Sequence, residues 1–61
     1  MKYIGQLFAI SETRERKAIA SDEPIEAEDE IGAQEKLYAE HWDPQFTANH
    51  YVAVAEVRAT S

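Results

Sequence analysis

The first regular pattern along the chain is an alternation of side chains over residues 2–10, KYIGQLFAI. The odd positions carry a mostly apolar row. The even positions from Ile4 to Ile10 carry a second apolar row that is interrupted only by Gln6. Aromatic and β-branched residues in alternation are typical of a strand. Because both rows are partly apolar, this strand is expected to lie in the centre of its sheet.

A second strand is predicted over residues 16–21, centred on Ile19, after a polar loop at residues 11–15. The pattern breaks at residues 21–24, because Pro24 has no N–H to donate to a neighbouring strand. Residues 25–27 are expected to resume the strand after a bulge. The proline and the charges around it favour an edge position in the sheet.

An amphipathic helix is predicted over residues 29–42. The Asp29 carboxylate can accept a hydrogen bond from a free N–H of the first turn, and Glu30 complements the helix dipole. The expected buried stripe comprises Ile31, Ala33, Gln34, Leu37, Tyr38, His41 and Trp42. The helix is expected to end before Pro44, because the residue before a proline avoids the helical conformation. Gly32 would allow the helix to approach the sheet closely.

A third strand is predicted over residues 50–59, after a loop at residues 45–49. Its odd positions are mostly alanine, and small side chains suit a place beneath the helix. Val52 and Val54 would then lie on the opposite face of the sheet.

The order strand–strand–helix–strand predicts a single α+β domain over residues 1–61 with a ββαβ arrangement. We expect a three-stranded antiparallel sheet in which the third strand returns beside the first (spatial order 3-1-2). A parallel third strand beside the second is the alternative. One helix covers only one face of such a sheet. The uncovered face, with Val52 and Val54, is expected to bind another molecule: a second copy of the chain first, and a foreign protein second.

The net charge of −6, from 12 acidic and 6 basic residues, narrows the choice of partners. Nucleic-acid binding requires cations that replace the counterions of the phosphates, so direct nucleic-acid binding is not expected. Anionic membrane surfaces would repel the chain for the same reason, whereas a basic protein partner would be attracted. The aromatic side chains are expected to pack in the core, because a stacking platform for single strands needs a basic groove beside it.

The chain has no cysteine, so disulfides cannot stabilise this small domain. A domain of this size buries only about 60% of the surface of its unfolded chain and usually needs a further staple. The expected source of additional stability is a second copy of the chain, so we predict a homodimer. The lack of cysteine, of a signal-peptide pattern and of an apolar run of ~18 residues together predict a cytoplasmic location.

Residues 22–40 carry eight acidic side chains that are opposed only by Lys36. Such a run usually forms a solvated face. Carboxylates along a strand end and a helix can also imitate the phosphates of DNA, so an inhibitor of a nucleic-acid-binding enzyme is an alternative function. The candidate partner-binding residues are Glu26, Glu28, Glu30, Val52 and Val54.

Catalytic and metal chemistry find little support in the sequence. His41, Asp43 and His50 could approach one another across the turn after the helix, but their spacing matches no known metal site. A small metal-binding protein is a further alternative, and we predict no metal or cofactor site. No serine lies in a nucleophile turn, and a chain of this length can hardly enclose a carboxylate pair in a cleft. We therefore predict a protein that is not an enzyme and has no catalytic residues.

The stretch at residues 25–30 (IEAEDE), followed by Ala33, Lys36, Leu37 and Tyr38, resembles the strand–turn–helix of small phage-encoded accessory proteins and of a ribosomal-protein fold. The phage resemblance implies an accessory or host-modulating role, as an inhibitor that binds a protein, and it implies no particular site residues. The ribosomal family binds RNA. The acidic balance of this chain departs from that family, so RNA binding is not expected.

Overall fold

The protein folds as a three-stranded sheet with one helix packed on one face. The computed structural model describes residues 1–60. Their elements are β1 (Lys2–Ile10), β2 (Arg16–Glu26), α1 (Glu30–His41), α2 (Pro44–Ala48) and β3 (Val52–Ala59). β1 pairs antiparallel with both neighbours, so the strand order is β2-β1-β3. The predicted α+β class, the ββαβ order and the spatial order 3-1-2 are confirmed.

The core lies between α1 and the sheet and contains few large side chains. Leu7 of β1 and Leu37 of α1 are the large residues that are fully buried. The other members of the core are Tyr3, Ala20, Ile25, Ala27 and Ala33. Ala53, Ala55 and Val57 of β3 pack against this cluster, so the alanine-rich row lies beneath the helix as predicted.

Gly5 sets the distance between α1 and the sheet. A Cβ at this position would lie 2.8 Å from Ile25 Cδ1 and 3.0 Å from both Leu37 Cδ2 and Val57 Cγ1. A closely packed interior leaves no space for such an atom. Leu37 therefore packs directly on the backbone of β1, and the absence of a side chain at Gly5 is what permits this contact.

α1 begins and ends where the sequence predicts. Asp29 is the N-cap, and its Oδ1 accepts a hydrogen bond from the Gly32 N–H at 2.7 Å. The Trp42 N–H donates to the Tyr38 carbonyl at 2.9 Å and ends the helix. The predicted role of Gly32 in helix–sheet approach is wrong. A Cβ there would meet Asp29 Oδ1 of the N-cap at 3.3 Å and the Ala27 Cβ at 3.6 Å, an ordinary van der Waals distance, so the approach of the helix to the sheet does not require a glycine.

The buried stripe of α1 is narrower than predicted. Ala33 and Leu37 are fully buried, but Ile31 is 67% exposed and Tyr38 is 45% exposed. The half-buried members of the predicted stripe are Gln34, His41 and Trp42. A sheet of three strands is only about 10 Å wide between its outer strands, so it covers the part of the helix directly above it and leaves the flanks open.

β2 is one continuous edge strand instead of two pieces. The predicted break is absorbed by shifts in the pairing of β2 with Gly5, Leu7 and Phe8 of β1. Asp22 has a φ of 51°, a left-handed conformation that aspartate tolerates better than most residues. Pro24 pairs opposite Ile4 on this outer strand, which confirms the predicted edge position.

Residues 44–48 form the short helix α2, although the sequence predicts a loop at residues 45–49. Asp43 is its N-cap and accepts a hydrogen bond from the Gln45 N–H at 2.9 Å, while Pro44 occupies the first turn. An Asp-Pro pair that ends one helix can thus begin the next. β3 starts later than predicted, because His50 has a φ of 64° and the Tyr51 N–H donates to the Phe46 carbonyl at 2.8 Å.

Both ends of the described chain are fixed at one end of the sheet. The amino group of Met1 donates to the Ala27 carbonyl at 3.0 Å, and the Ala27 N–H returns a hydrogen bond to the Met1 carbonyl at 3.1 Å. The Thr60 N–H donates to the Lys2 carbonyl at 3.0 Å. The first two bonds extend the pairing of β1 with β2, and the third extends the pairing of β1 with β3.

Candidate interaction surface

The face of the sheet opposite α1 is the open face. Because side chains alternate along a strand, it carries the even-numbered positions of β1 and their cross-strand partners. The residues of the open face are Lys2, Ile4, Gln6, Phe8 and Ile10 of β1, Arg16, Ala18, Pro24 and Glu26 of β2, and Val52, Val54, Glu56 and Arg58 of β3. Within residues 1–60, no helix or loop packs over this face.

One end of the open face is apolar. Val54 lies opposite Phe8, and Val52 lies opposite Ile10. Val52 is 65% exposed, and the other three side chains are half-buried. We call these four residues the apolar end. Both predicted partner-binding valines belong to it, and the predicted apolar row of β1 supplies the other two residues.

The middle of the open face is polar, and Arg16, which lies opposite Ile10, reaches over Phe8 to Glu56 in this middle part. Its guanidinium lies 4.2 Å from the centroid of the Phe8 ring, and its Nη2 is 3.6 Å from Glu56 Oε2. The two charged side chains are each 56% exposed. Exposed ion pairs contribute about 0–1 kcal/mol, so little free energy is lost when a partner displaces Arg16. Arg16 is therefore a movable cover on one side of Phe8.

The three acidic candidates lie at the opposite end of the molecule from the apolar end. Glu26 pairs with Lys2 at the start of β1, whereas Val52 pairs with Ile10 at its end. At about 3.3 Å per residue, the two positions are roughly 26 Å apart along the strand. Glu26, Glu28 and Glu30 are all exposed. The five predicted partner-binding residues thus form two separate surfaces and not one site.

The three candidate metal ligands do not form a common site. His41 Nε2 is 3.9 Å from Glu23 Oε2 and 4.0 Å from Glu40 Oε2. The Asp43 carboxylate caps α2, and His50 is exposed at the start of β3. In the part of the chain that the structure describes, no group of three His, Cys, Asp or Glu residues could hold a metal ion.

A row of aromatic rings joins α1, α2 and β3 and was not anticipated as a surface feature. The ring centroids of Tyr38 and Trp42 are 5.4 Å apart and nearly parallel, and Trp42 and Phe46 are 5.2 Å apart. Phe46 meets Tyr51 edge to face at 5.5 Å. The Trp42 Nε1–H donates to Thr47 Oγ1 at 3.0 Å. Trp42 packs against the core as predicted, whereas Tyr38 is exposed and Phe46 and Tyr51 are only half-buried, so the prediction that the aromatic residues lie in the core is wrong for these three rings.

The spacing of four between the first three rings was the available signal, because residues four apart lie on one side of a helix. The helix breaks at Asp43-Pro44, but the resumed turn of α2 keeps the spacing. Aromatic pairs at these distances contribute roughly 0.5–1.5 kcal/mol each beyond the area they bury. The row therefore attaches α2 to α1 and fixes the connection that leads into β3.

Comparison with protein-family models, with curated proteins and with solved structures gave no match. Neither helix in residues 1–60 has the length and apolar character needed to cross a membrane. The resemblance to phage accessory proteins stays a prediction from the sequence.

Proposed function

We propose that the chain is a small non-enzymatic protein-binding module that acts as a homodimer and receives an apolar surface of a protein partner on its apolar end. The observation that carries this proposal is the exposure of Val52 beside Val54, Phe8 and Ile10, where the exposed Arg16 side chain lies over one side of Phe8. Contiguous apolar surface on a small domain usually marks an interaction site. A phage-type accessory role, in which the module inhibits the partner it covers, is the biological form of this proposal.

The chemistry of the partner follows from the charge of the chain. At a net charge of −6 the protein attracts a basic surface and repels an acidic one. Protein interfaces commonly combine an apolar centre with a polar rim. The apolar end would supply the centre, and the acidic residues of β2 and α1 would raise the association rate. The expected partner is a protein that presents an apolar patch within basic surroundings.

Replacing Val52 by aspartate is expected to abolish partner capture without unfolding the protein, because the side chain is mostly exposed and a charge there cannot enter an apolar interface. The measurement is quantitative affinity capture with the purified chain at low and high salt. Gln45→Asp is the matched control, since it adds the same charge on α2, away from the open face.

Proteins that the wild type and Gln45→Asp retain, and that Val52→Asp loses, would support the proposal. Capture that weakens as salt increases is expected for a basic partner. The same set of proteins on both variants would contradict the proposal, provided that circular dichroism shows both variants to be folded.

The acidic end favours a second candidate function, mimicry of DNA. Within residues 1–60, no ion pair engages Glu26, Glu28 or Glu30, and the Lys36 amino group donates to the Glu26 backbone carbonyl and not to a carboxylate. Three unpaired carboxylates could occupy the phosphate contacts of a nucleic-acid-binding enzyme.

Reversing the charges of Glu26, Glu28 and Glu30 to lysine should eliminate capture by such an enzyme while leaving the apolar end intact. The measurement is competition with a DNA duplex for the captured enzyme at low and high salt. If the triple variant competes as well as the wild type at both salt concentrations, mimicry by these residues is excluded.

A further inference from the structure

We infer that the dimer forms by antiparallel pairing of β3 with β3 of a second copy, in the register centred on Val57, which gives a continuous six-stranded sheet. This inference rests on the proposed function, for which it specifies the dimer contact. It also moves that contact from the open face, where the sequence analysis expects self-association, to the outer edge of β3.

The outer edge of β3 carries unpaired backbone groups. Antiparallel pairs alternate between pairs that exchange two hydrogen bonds and pairs that exchange none. The Thr60 N–H donates to Lys2, so the bonded pairs include residue 60 and continue at the even positions of β3. The odd positions Ala53, Ala55, Val57 and Ala59 therefore direct their N–H and C=O groups away from β1. In the described part of the chain, no strand pairs with this edge.

The two edges of the sheet differ in how well they are protected. β2 is interrupted by Pro24, by the irregular pairing opposite Leu7 and by the left-handed Asp22, which all hinder the addition of a strand. β3 has no proline, no irregular pairing and no residue with positive φ. An unprotected edge of this length is a template for another strand.

The charges of β3 select the register of a self-pairing. Centring the pair on Val57 places Glu56 opposite Arg58 of the partner subunit, and the two-fold axis repeats the contact with Arg58 opposite Glu56 of the partner subunit. Centring it on residue 56 sets two glutamates against each other, and centring it on residue 58 sets two arginines against each other. Cross-strand opposite charges stabilise a pair and like charges destabilise it, so the register with two complementary pairs is favoured.

This arrangement is a closed dimer, and it leaves the apolar end of each copy free to bind a partner. The two-fold axis runs perpendicular to the sheet, so both helices lie on one side and both open faces on the other. Pairing of residues 55, 57 and 59 adds about six inter-strand hydrogen bonds. A hollow of about 320 Å³ that is lined by Leu7, Gln34, Glu35, Tyr38, Ala53 and Ala55 lies on the helix side of this part of β3.

A charge-swap series tests the register, with the oligomeric state measured by sedimentation at low salt. Glu56→Arg and Arg58→Glu each turn two attractive pairs into two repulsive ones. Each single variant is expected to weaken the dimer at least about tenfold. The double variant with both changes is expected to regain the wild-type dimer. A mixture of the two single variants is expected to form a heterodimer, because their charges are complementary.

Arg16→Gln is the control, because it removes the ion pair of Glu56 within the chain and adds no new charge beside the β3 seam. A wild-type dimer that neither single variant weakens would overturn the inferred register while the proposed homodimer stands. A wild type that sediments as a monomer at every concentration would overturn the inference and the homodimer together. The proposed binding of a partner to the apolar end would then still be tested separately, by affinity capture with Val52→Asp.

Discussion

Leu37→Ala is expected to lower the free energy of unfolding by about 2–5 kcal/mol, the range for a large residue removed from a core. Leu37 is fully buried on the side of α1 that faces the sheet, where it packs on Gly5 of β1. A chain of 61 residues has a total stability of only about 3–9 kcal/mol. The loss is a large fraction of this total, so the variant should unfold at a much lower urea concentration than the wild type. Urea denaturation followed by circular dichroism measures the difference.

Ile31→Ala is the matched control for this prediction. The two residues lie on the same helix, and the sequence pattern assigns both to the buried stripe, but Ile31 is 67% exposed. Its replacement by alanine is expected to change the free energy of unfolding by no more than about 0.5 kcal/mol. Equal losses for the two variants would mean that α1 is rotated on the sheet relative to the structure.

Gly5→Ala is expected to lower the free energy of unfolding by about 1–3 kcal/mol, the range for overpacking a filled core. The added methyl group would occupy the position 2.8 Å from Ile25 Cδ1 and 3.0 Å from Leu37 Cδ2. Alanine ordinarily stabilises a strand relative to glycine, so the expected sign is opposite to the usual one. Thermal and urea unfolding of the purified variant provide the measurement.

A double-mutant cycle identifies the cause of the Gly5→Ala loss. Ile25→Val removes the Cδ1 atom that lies closest to the new methyl group. If the clash is the cause, Gly5→Ala should cost less in the Ile25→Val background than in the wild type, by an interaction energy of at least about 0.5 kcal/mol. Strict additivity would show that the contact with Ile25 is not the cause, and would leave Leu37 Cδ2 and Val57 Cγ1, each 3.0 Å from the new methyl group, as the source of the loss.

The strand order could be predicted because it followed from local features of individual strands. β1 is apolar on both faces, so it had to be central, and Pro24 restricts β2 to an edge. With one helix and one edge left, β3 has a single antiparallel place beside β1. The Asp29 cap fixed the start of α1 for a similar reason, since an N-cap depends on residues that are neighbours in sequence.

The errors concern features that depend on contacts between distant residues. The width of the buried stripe depends on how much sheet lies beneath α1, and no helix periodicity contains that information. The close approach at Gly5 arises from Ile25, Leu37 and Val57, which come from three different elements. Two glycines look equivalent in the sequence, and only the packing shows that Gly5 and not Gly32 lies between helix and sheet.

The candidate surface was predictable in part. Alternation along β3 correctly assigns Val52 and Val54 to the face away from α1, and the same alternation assigns Glu56 and Arg58 to it. The cover that Arg16 provides over Phe8 was not predictable, because it depends on the register between β1 and β2. The separation of the acidic residues from the valines was also not predictable. It depends on the registers in which β2 and β3 pair with β1, and the sequence pattern does not give these registers.

The bonds that hold Met1 to Ala27 and Thr60 to Lys2 place the two ends of the described chain next to each other. A short peptide could therefore join them without disturbing the sheet, and the polar turn between β1 and β2 would offer new termini at the far end. In such a permuted protein, β1 and β3 would become neighbours in sequence as well as in space. The β1–β3 pair would then close over a short loop, whereas the β1–β2 pair, a hairpin in the natural order, would have to close across almost the whole chain.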